Sequence, residues 1–165
     1  ALGVDLLYNN PGHENVRGGL SSIEEKSLGA IAKAGERPIR SVLAFAAPPP
    51  CPGLHVMDGP GFSPESLTGF AAAGAQIMLF TTGPGNSFCS HVAPTIKISG
   101  HPATTERLAA QIDFDASPLF LAQASLAAMA DSLFDYLLDV AGGTATWGEI
   151  FDEGDECFAR FGGSF

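Results

Sequence analysis

Short apolar segments alternate with amphipathic ones along most of this chain. Four apolar runs bounded by proline or glycine predict buried strands at 41–46, 54–58, 77–82 and 95–99. In the segments between and after them, apolar residues recur at helical spacing, with capping residues ahead of them and glycines behind. These segments predict helices over about 22–33, 63–74, 102–112 and 122–141.

The alternation of strands and helices predicts a three-layer, Rossmann-like α/β domain. We expect a mostly parallel sheet of four or more strands with helices on both faces. The inward residues are expected to be Ile23, Leu28 and Ile31 in the first helix and Leu126, Met129, Leu133, Leu137 and Val140 in the last. Ligands of parallel sheets gather beyond the carboxyl ends of the strands. The asparagine-rich turn at 9–12 and the loops after Asp58, Thr82 and Ser99 should therefore share one edge.

Length, charge and cysteine usage narrow the class of protein. A chain of 165 residues with 45% hydrophobic and 16% charged residues is the size and composition of one globular domain. Its net charge of −10 argues against nucleic acid or an anionic membrane surface as a partner. Cys51, Cys89 and Cys157 are widely spaced, which fits a reducing compartment. Together with the absence of a membrane-spanning apolar run, this predicts a cytoplasmic protein.

Residues 18–27 combine glycines, helix caps and charged side chains. Gly18 and Gly19 precede two alternative capping boxes, Ser21 with Glu24 and Ser22 with Glu25. A helix N-terminus behind flexible glycines favours an anion, because its first N–H groups lack partners and its dipole is positive there. The simpler alternative is a well-capped helix after a glycine turn, and this stretch alone leaves both open.

Other residues able to do chemistry give weaker signals. The loop Gly83-Pro84-Gly85 follows a predicted strand but lacks the spacing or the lysine-serine pair of a nucleotide-binding loop. His55 is expected to be a hydrogen-bonded core histidine. His91, His101 and the cysteines lack metal-ligand spacing, although Cys89 could be a reactive thiol. The tail at 152–165 is acidic, then rich in glycine and phenylalanine, and Phe158, Phe161 and Phe165 could pack on the domain or on a neighbour.

Five motifs, in order along the chain, resemble one family. They are Gly-Gly-Leu-Ser-x-Ile-Glu-Glu-Lys-Ser-Leu-Gly at 18–29, Met-Asp-x-Pro at 57–60, Thr-Gly-x-Ala-Ala-Ala-Gly-Ala at 68–75, Phe-Thr-Thr-Gly-x-Gly-Asn at 80–86 and Pro-Thr-Ile-Lys at 94–97. This series resembles the C-terminal part of the altronate/galactarate dehydratase family, which includes the large subunit of sulfolactate sulfo-lyase. The segment 146–149 is closest to galactarate dehydratases and 101–104 to the sulfo-lyase, so the branch stays open.

The resemblance implies a lyase that eliminates water from a sugar acid such as galactarate or altronate to leave a 2-keto-3-deoxy acid. The alternatives are elimination of sulfite from sulfolactate, or a non-catalytic docking domain that only positions substrate. The resemblance also implies a divalent metal ion, typically iron(II), with unknown ligands. Residues 1–165 are then a single domain, expected to be the C-terminal domain of a longer enzyme with preceding domains as partners and a possible homo-oligomeric state.

The chemistry of the family suggests roles for particular residues. Lys26, Lys97 or His13 could act as base or cation when a proton is removed next to a carboxylate. Gly18, Gly19 and Ser21 could hold that carboxylate, and Thr81, Thr82, Gly83 and Gly85 could hold further oxygens. One position departs from the pattern, since relatives usually carry arginine where this chain has Pro84. Loss of a bidentate arginine would imply an altered substrate or a lost activity.

Overall fold

The computed structural model describes residue 5 and residues 7–158. Its helices and strands, in chain order, are α1 (His13–Arg17), α2 (Ile23–Lys33), β1 (Ile39–Leu43), β2 (Leu54–Met57), α3 (Ser63–Ala72), β3 (Met78–Thr81), β4 (Thr95–Ser99), α4 (Pro102–Arg107), β5 (Phe114–Asp115), α5 (Ser117–Phe120), α6 (Leu126–Ala141) and α7 (Trp147–Ile150).

The fold is α/β with parallel strands, as predicted. All four predicted strands are present, but only β4 is buried along its whole length, and β5 is a short additional strand that the sequence did not reveal. The described strands do not form a single sheet, however: β1 pairs with β2, and β3, β4 and β5 form a second sheet in that order. The expectation of one sheet with four or more strands was wrong, because no backbone pairing among the described residues joins β1 or β2 to the second sheet.

Strand β4 lies at the centre of the three-stranded sheet and is buried along its whole length. Ile96 and Ile98 point to one face, where they pack with Val140 of α6. The alternate residues Thr95, Lys97 and Ser99 belong to the opposite face because side chains alternate along a strand. These three polar residues are almost completely buried. The sheet is therefore covered on both faces of β4, by an apolar helix on one side and by loops on the other.

A second apolar cluster stabilises the other side of the domain. Leu67 of α3, Met78 of β3 and Ala93 form its buried part, and Phe80 and Phe88 pack against it. Burying one large aliphatic side chain of this kind contributes about 1.5–3 kcal/mol. This cluster fixes α3 and β3 relative to the loop between β3 and β4.

Helix α2 is capped as one of the two registers predicted. Ser22 is the N-cap and its hydroxyl accepts the Glu25 N–H at 3.2 Å, while Gly35, with φ +71°, follows the last turn. The predicted inward face was wrong for two residues, since Leu28 is 66% exposed and Ile31 is 69% exposed. No buried residue belongs to this helix, which lies on the surface of the described part of the chain.

Three other helix boundaries differ from the predictions. Helix α3 has Phe62, not Ser63, as its N-cap, and α4 ends at Arg107 instead of near residue 112. The long helix begins at Leu126 behind the cap Ser125, because the preceding residues form α5 and a turn. Leu133, Leu137 and Val140 of the predicted apolar stripe do pack on β4, whereas Leu126 is exposed.

The start of the acidic tail packs back onto the domain. The Asp155 N–H donates to the Cys89 carbonyl at 3.1 Å, and the Cys157 N–H donates to Thr68 Oγ1 at 2.8 Å. Glu156 Oε1 accepts the Ser90 hydroxyl at 2.5 Å. Residues 155–157 therefore tie α3 to the loop between β3 and β4. Phe158 is exposed, and the predictions for Phe161 and Phe165 fall outside the described residues.

Candidate functional site

A polar cavity of about 860 Å³ lies between the N-terminal turn, α2, the segment before α3 and the loop that follows β3. Its wall contains four asparagines, two lysines, two glutamates and several hydroxyl side chains: Asn9, Asn10, Asn15, Asn86, Lys26, Lys33, Glu14, Glu25, Ser63, Thr81, Thr82 and Ser87. The predicted gathering of the asparagine-rich turn with the loops after the second and third strands is confirmed. The loop after Ser99 does not line this cavity, contrary to the prediction; instead, side chains of α4, the helix that follows β4, bond the loop after β3 from behind.

Lys26 lines the cavity, and its ammonium group is held in place by two asparagines. It lies in the first turns of α2, where the Ser22 cap fixes its backbone, and its Nζ donates to Asn10 Oδ1 at 2.7 Å and to Asn15 Oδ1 at 3.2 Å. An ammonium group has three N–H donors. Two of them are used by these carboxamides within the described residues, which leaves one for a ligand oxygen.

The loop after β3 forms the facing wall. Thr81, Thr82, Gly83 and Gly85 all line the cavity, so the structure brings these predicted residues together with Lys26. Thr82 Oγ1 accepts the Gly85 N–H at 3.1 Å. This bond closes a tight turn that needs the positive φ of +96° at Gly85.

Side chains behind the loop hold its carbonyl groups. Thr104 Oγ1 donates to the Gly83 carbonyl at 2.7 Å, and Arg107 Nη2 donates to the Pro84 carbonyl at 3.0 Å. Lys97 Nζ donates to the Ser87 carbonyl at 2.7 Å. Within the described residues, the backbone N–H groups of Gly83, Asn86 and Ser87 donate to no protein acceptor. The loop can therefore offer donors to an anion in the cavity.

The structure does not place Gly18, Gly19 and Ser21 in the cavity wall. The N–H groups of Gly18 and Gly19 donate to the carbonyls of Glu14 and Val16, which ends α1. Ser21 donates its hydroxyl and its N–H to Glu25 Oε2, at 2.6 and 2.8 Å. These donors are already used, so the carboxylate that the start of α2 attracts is the protein's own. A role for these three residues in holding substrate stays a prediction.

Hydrogen bonds at the start of α2 lower the pKa values of Glu24 and Glu25. The Ser21 hydroxyl, and then the Ser21 N–H, lower the pKa of the Glu25 carboxyl below its ordinary value. The pKa of Glu24 is also lowered, first by its own backbone N–H and then by the Ser22 hydroxyl. Both groups are anionic near neutral pH, so they offset the positive charges of Lys26 and Lys33 in this region.

The two other candidates for base or cation lie apart from the cavity wall. His13 is exposed, and its ring stacks on Tyr8 with 4.6 Å between centroids. Lys97 is only 2% exposed and lies behind the loop that follows β3. Of the three candidates, Lys26 is the one that lines the cavity.

The remaining histidines and cysteines show no site in the described part of the chain. His55 is hydrogen-bonded through both ring nitrogens, as predicted, to Ser41 Oγ at 2.7 Å and to the Cys51 carbonyl at 2.9 Å, but it is half-buried and does not belong to the core. Burial raises the pKa of the Cys89 thiol above its ordinary value despite the nearby Lys97, which disfavours a reactive thiolate. Among the described residues, no group of three or more His, Cys, Asp or Glu is arranged to hold a metal ion.

Comparison with known proteins decides the family. A model of the D-galactarate/altronate dehydratase C-terminal domain matches residues 2–162. The chain belongs to this family. The (2R)-sulfolactate sulfo-lyase subunit beta of Chromohalobacter salexigens is 37% identical over 86% of this chain and 37% of its own length. The altronate dehydratase of Escherichia coli is 35% identical over 88% of this chain and 29% of its own length.

A third relative represents the other dehydratase named in the family. The galactarate dehydratase (L-threo-forming) of Escherichia coli is 31% identical over 81% of this chain and 26% of its own length. The alignments thus span about a third of the length of the curated relatives. The described part of this family member contains no helix with the length and apolar character needed to cross a membrane.

Sequence reasoning missed the asparagines of the site. Asn10 and Asn15 hold Lys26, and Asn86 lines the opposite wall, but none of the three was assigned a functional role. In the sequence, Asn10 is only part of a turn signal. A carboxamide in a turn is indistinguishable in sequence from one that orients a charge, because the distinction depends on a contact with a residue 16 positions away.

Proposed function

We propose that the intact protein is a lyase that eliminates water from a hydroxylated sugar acid such as galactarate or altronate, and that the cavity beside Lys26 binds part of that substrate. The arrangement that carries the proposal is the Lys26 ammonium, held by Asn10 and Asn15, across from the loop that follows β3. Asparagine, threonine and serine side chains in the wall suit a ligand with many hydroxyl groups. The family membership supports the same reaction class.

In the proposed reaction, the proton next to a carboxylate is removed and the hydroxyl on the neighbouring carbon leaves as water. The resulting enol rearranges to a 2-keto-3-deoxy acid. Negative charge develops on the carboxylate as the proton leaves, and a fixed cation or N–H donors stabilise it most. We assign this stabilising role to Lys26 and to the N–H groups of the loop that follows β3.

Lys26 is a better cation than base in this arrangement. Its Nζ donates to two carboxamide oxygens, so two of its three N–H groups are already engaged and the group faces the substrate as a donor. Removal of the substrate proton is therefore assigned to another group. Loss of the positive charge would weaken both substrate binding and stabilisation of the transition state.

The proposal for the intact protein includes a divalent metal ion, with iron(II) as the first candidate. The described residues by themselves do not fit such an ion, since they contain no cluster of three suitable side chains. The roles proposed for Lys26 and for the loop that follows β3 therefore do not depend on a metal ion. The proposal for the intact protein also includes domains that precede this one and a homo-oligomeric state.

Elimination of sulfite from sulfolactate is the second candidate reaction. The 37% identity to the sulfo-lyase subunit favours it, and it uses the same proton removal next to a carboxylate. The Pro84 position bears on which groups hold the acid. The guanidinium that reaches this loop within the described residues is that of Arg107, which bonds the Pro84 carbonyl and does not line the cavity. The acid bound here is then held by an ammonium and amides instead of a bidentate guanidinium.

The decisive experiment is a turnover assay of the intact protein with galactarate, altronate and sulfolactate, each with and without added iron(II). We expect a 2-keto-3-deoxy product from one of the two sugar acids. Sulfite release from sulfolactate would select the second candidate. If none of the three acids is turned over or bound, the lyase proposal fails, and a non-catalytic docking role is favoured.

A further inference from the structure

The buried polar face of β4 supports the loop that forms one wall of the cavity. Thr95 Oγ1 accepts the Ser90 N–H at 3.1 Å, and Lys97 Nζ donates to the Ser87 carbonyl at 2.7 Å. Ser99 Oγ lies 3.5 Å from the Gly83 carbonyl. Three successive side chains on one face of the strand therefore contact the beginning, middle and end of the loop over residues 83–90.

Lys97 is the unusual member of this row. Its side chain is 2% exposed, and burying an ammonium group is costly unless it is paired. Within the described residues its Nζ makes one hydrogen bond, to the Ser87 carbonyl. A methionine of similar length would fill the same space without that cost. The retained charge therefore suggests that the bond to the loop carries a function.

The bond from Lys97 orients a side chain in the cavity wall. In a planar trans peptide the N–H of Phe88 points away from the carbonyl of Ser87. With that carbonyl held by Lys97, the Phe88 N–H donates to Asn86 Oδ1 at 2.9 Å. Asn86 is half-buried and lines the cavity. Its Nδ2 group donates to no acceptor within the described residues, so both amide N–H donors can bind a ligand.

We propose that Asn86 binds the acid in the cavity through its carboxamide N–H group and that Lys97 is a positioning residue that acts through Ser87 and Phe88. The proposal rests on the proposed function, because it takes a hydroxylated carboxylic acid as the ligand. In this arrangement Lys97 lies behind the loop that follows β3 and does not line the cavity. The proposal also adds a specificity-determining residue, since an amide donor favours an anionic or hydroxyl oxygen and repels a cation.

The first test is steady-state kinetics of the intact protein on whichever acid it turns over. Asn86→Ala removes the donor, and we expect KM to rise about tenfold or more with a smaller change in kcat. Asn86→Asp keeps an oxygen for the Phe88 N–H but replaces the donor by a carboxylate. It should raise KM at least as much as alanine does, and unchanged KM in Asn86→Asp overturns the contact with substrate.

The second test asks whether Lys97 acts through Asn86. Lys97→Met should raise KM by a similar factor without altering the shape of the pH–rate profile. In the double variant with Asn86→Ala it should add little, because both changes remove the same contact. Additive effects, or a kcat loss of 100-fold or more with KM unchanged, would overturn the positioning role and favour Lys97 as an acid or base.

The third test does not depend on activity. Hydrogen exchange of the intact protein should show faster exchange in the peptide covering residues 83–90 of Lys97→Met than in the wild type. Ile98→Ala is the matched control, since Ile98 is a buried neighbour on the same strand that packs with Val140 on the opposite face. Equal exchange of the loop in wild type and Lys97→Met overturns the proposal even if no acid is turned over.

Should Lys97→Met fail to fold, Lys97→Arg keeps a charged donor in the same place. We then expect its KM to stay within about threefold of the wild type, because the bond to the loop is retained. A tenfold rise in a folded Lys97→Arg protein with unchanged loop exchange contradicts the positioning role. If the wild type turns over none of the acids, the proposed function fails separately, and loop exchange still decides the role of Lys97.

Discussion

At the scale of single residues, Lys26 and Lys97 are equal candidates for a base or cation in the sequence but have different surroundings in the structure. Lys26 lies half-buried at the cavity and is held by two asparagines, whereas Lys97 is buried behind the loop and held by one carbonyl. Both have the same donor chemistry, so their roles follow from what each ammonium can reach. Lys26 can reach a ligand directly, and Lys97 can act on it only through the loop.

Replacement of Lys26 by methionine tests the direct contact. We expect Lys26→Met to weaken binding of the acid about 10- to 100-fold, since a hydrogen bond to a charged group is worth about 1.5–3 kcal/mol. Isothermal titration of the intact protein with the acid measures this change. Lys33→Met is the charge-matched control, because Lys33 lines the same cavity but lacks the asparagine contacts. An equal effect of both variants would show that only the overall charge matters.

Gly83 and Gly85 form a matched pair for testing the loop conformation. A Cβ at Gly85 would collide with the side chain of Leu108, and the positive φ there disfavours any L-residue. A Cβ at Gly83 would meet no atom within 4 Å. We expect Gly85→Ala to lower the free energy of unfolding by about 1–3 kcal/mol, and Gly83→Ala to change it little. Urea denaturation compares the two, and similar losses would contradict the left-handed conformation of Gly85.

At the scale of elements, β4 organises most of the domain. Its apolar face receives α6, its polar face supports the loop after β3, and its backbone is joined to α7 through Asp113. Asp113 Oδ2 accepts the Lys97 N–H at 2.8 Å, and Oδ1 accepts the Trp147 N–H at 2.7 Å. One carboxyl group therefore sets the position of α7 relative to the central strand.

The buried position of Asp113 predicts a pH dependence of stability. Burial raises the pKa of this carboxyl above its ordinary value of 3.8, although the Lys97 and Trp147 N–H groups oppose the shift. The native state then holds the proton more tightly than the unfolded chain does. The contribution of Asp113 to the free energy of unfolding therefore falls as pH rises from about the ordinary value through the raised native pKa, and stays at the lower level above it.

Asp113→Asn removes this titration and serves as the reference. We expect the free energy of unfolding of the wild type, minus that of Asp113→Asn, to decrease as pH is raised through that window. Urea denaturation of both proteins at several pH values from 4 to 7 measures the difference. A difference that increases with pH would mean that hydrogen bonding to the carboxylate outweighs its burial.

At the scale of the whole molecule, the tail joins parts of the chain that are distant in sequence. Residues 155–157 bond to Cys89, Ser90 and Thr68. Glu156 has one oxygen in these bonds, while Oε2 is buried without a hydrogen-bond partner among the described residues. An unpaired buried oxygen is costly, so the tail is held by its other contacts.

Thr68→Val tests how firmly the tail is attached. The substitution keeps the shape of the side chain but removes the acceptor of the Cys157 N–H, so we expect a loss of about 1 kcal/mol in the free energy of unfolding. Limited proteolysis should cut faster within residues 153–158. Thr105→Val is the control, since Thr105 Oγ1 bonds only within its own helix, to the Pro102 carbonyl. Equal proteolysis of both variants would argue against this anchoring.

The elements were predictable where local rules determine them. Strand β4 lies where the apolar run predicted it, and α2 begins at one of its two capping registers. Boundaries failed where a neighbouring segment competed, as at the start of α6, where α5 and a turn precede the Ser125 cap. The exposure of Leu28 and Ile31 was unpredictable, because apolar spacing shows that a helix has an apolar face but not what covers it.

The sequence by itself determined the α/β class, the four longer strands, the Ser22 cap of α2 and the family to which the chain belongs. These depend on short-range spacing and on motifs that are complete within a few residues. The tertiary structure alone decided that Lys26 and not His13 lines the cavity, that Glu25 takes the donors of Ser21, and that Lys97 bonds the loop at Ser87. Such contacts depend on how separate elements pack together, which local spacing along the chain does not specify.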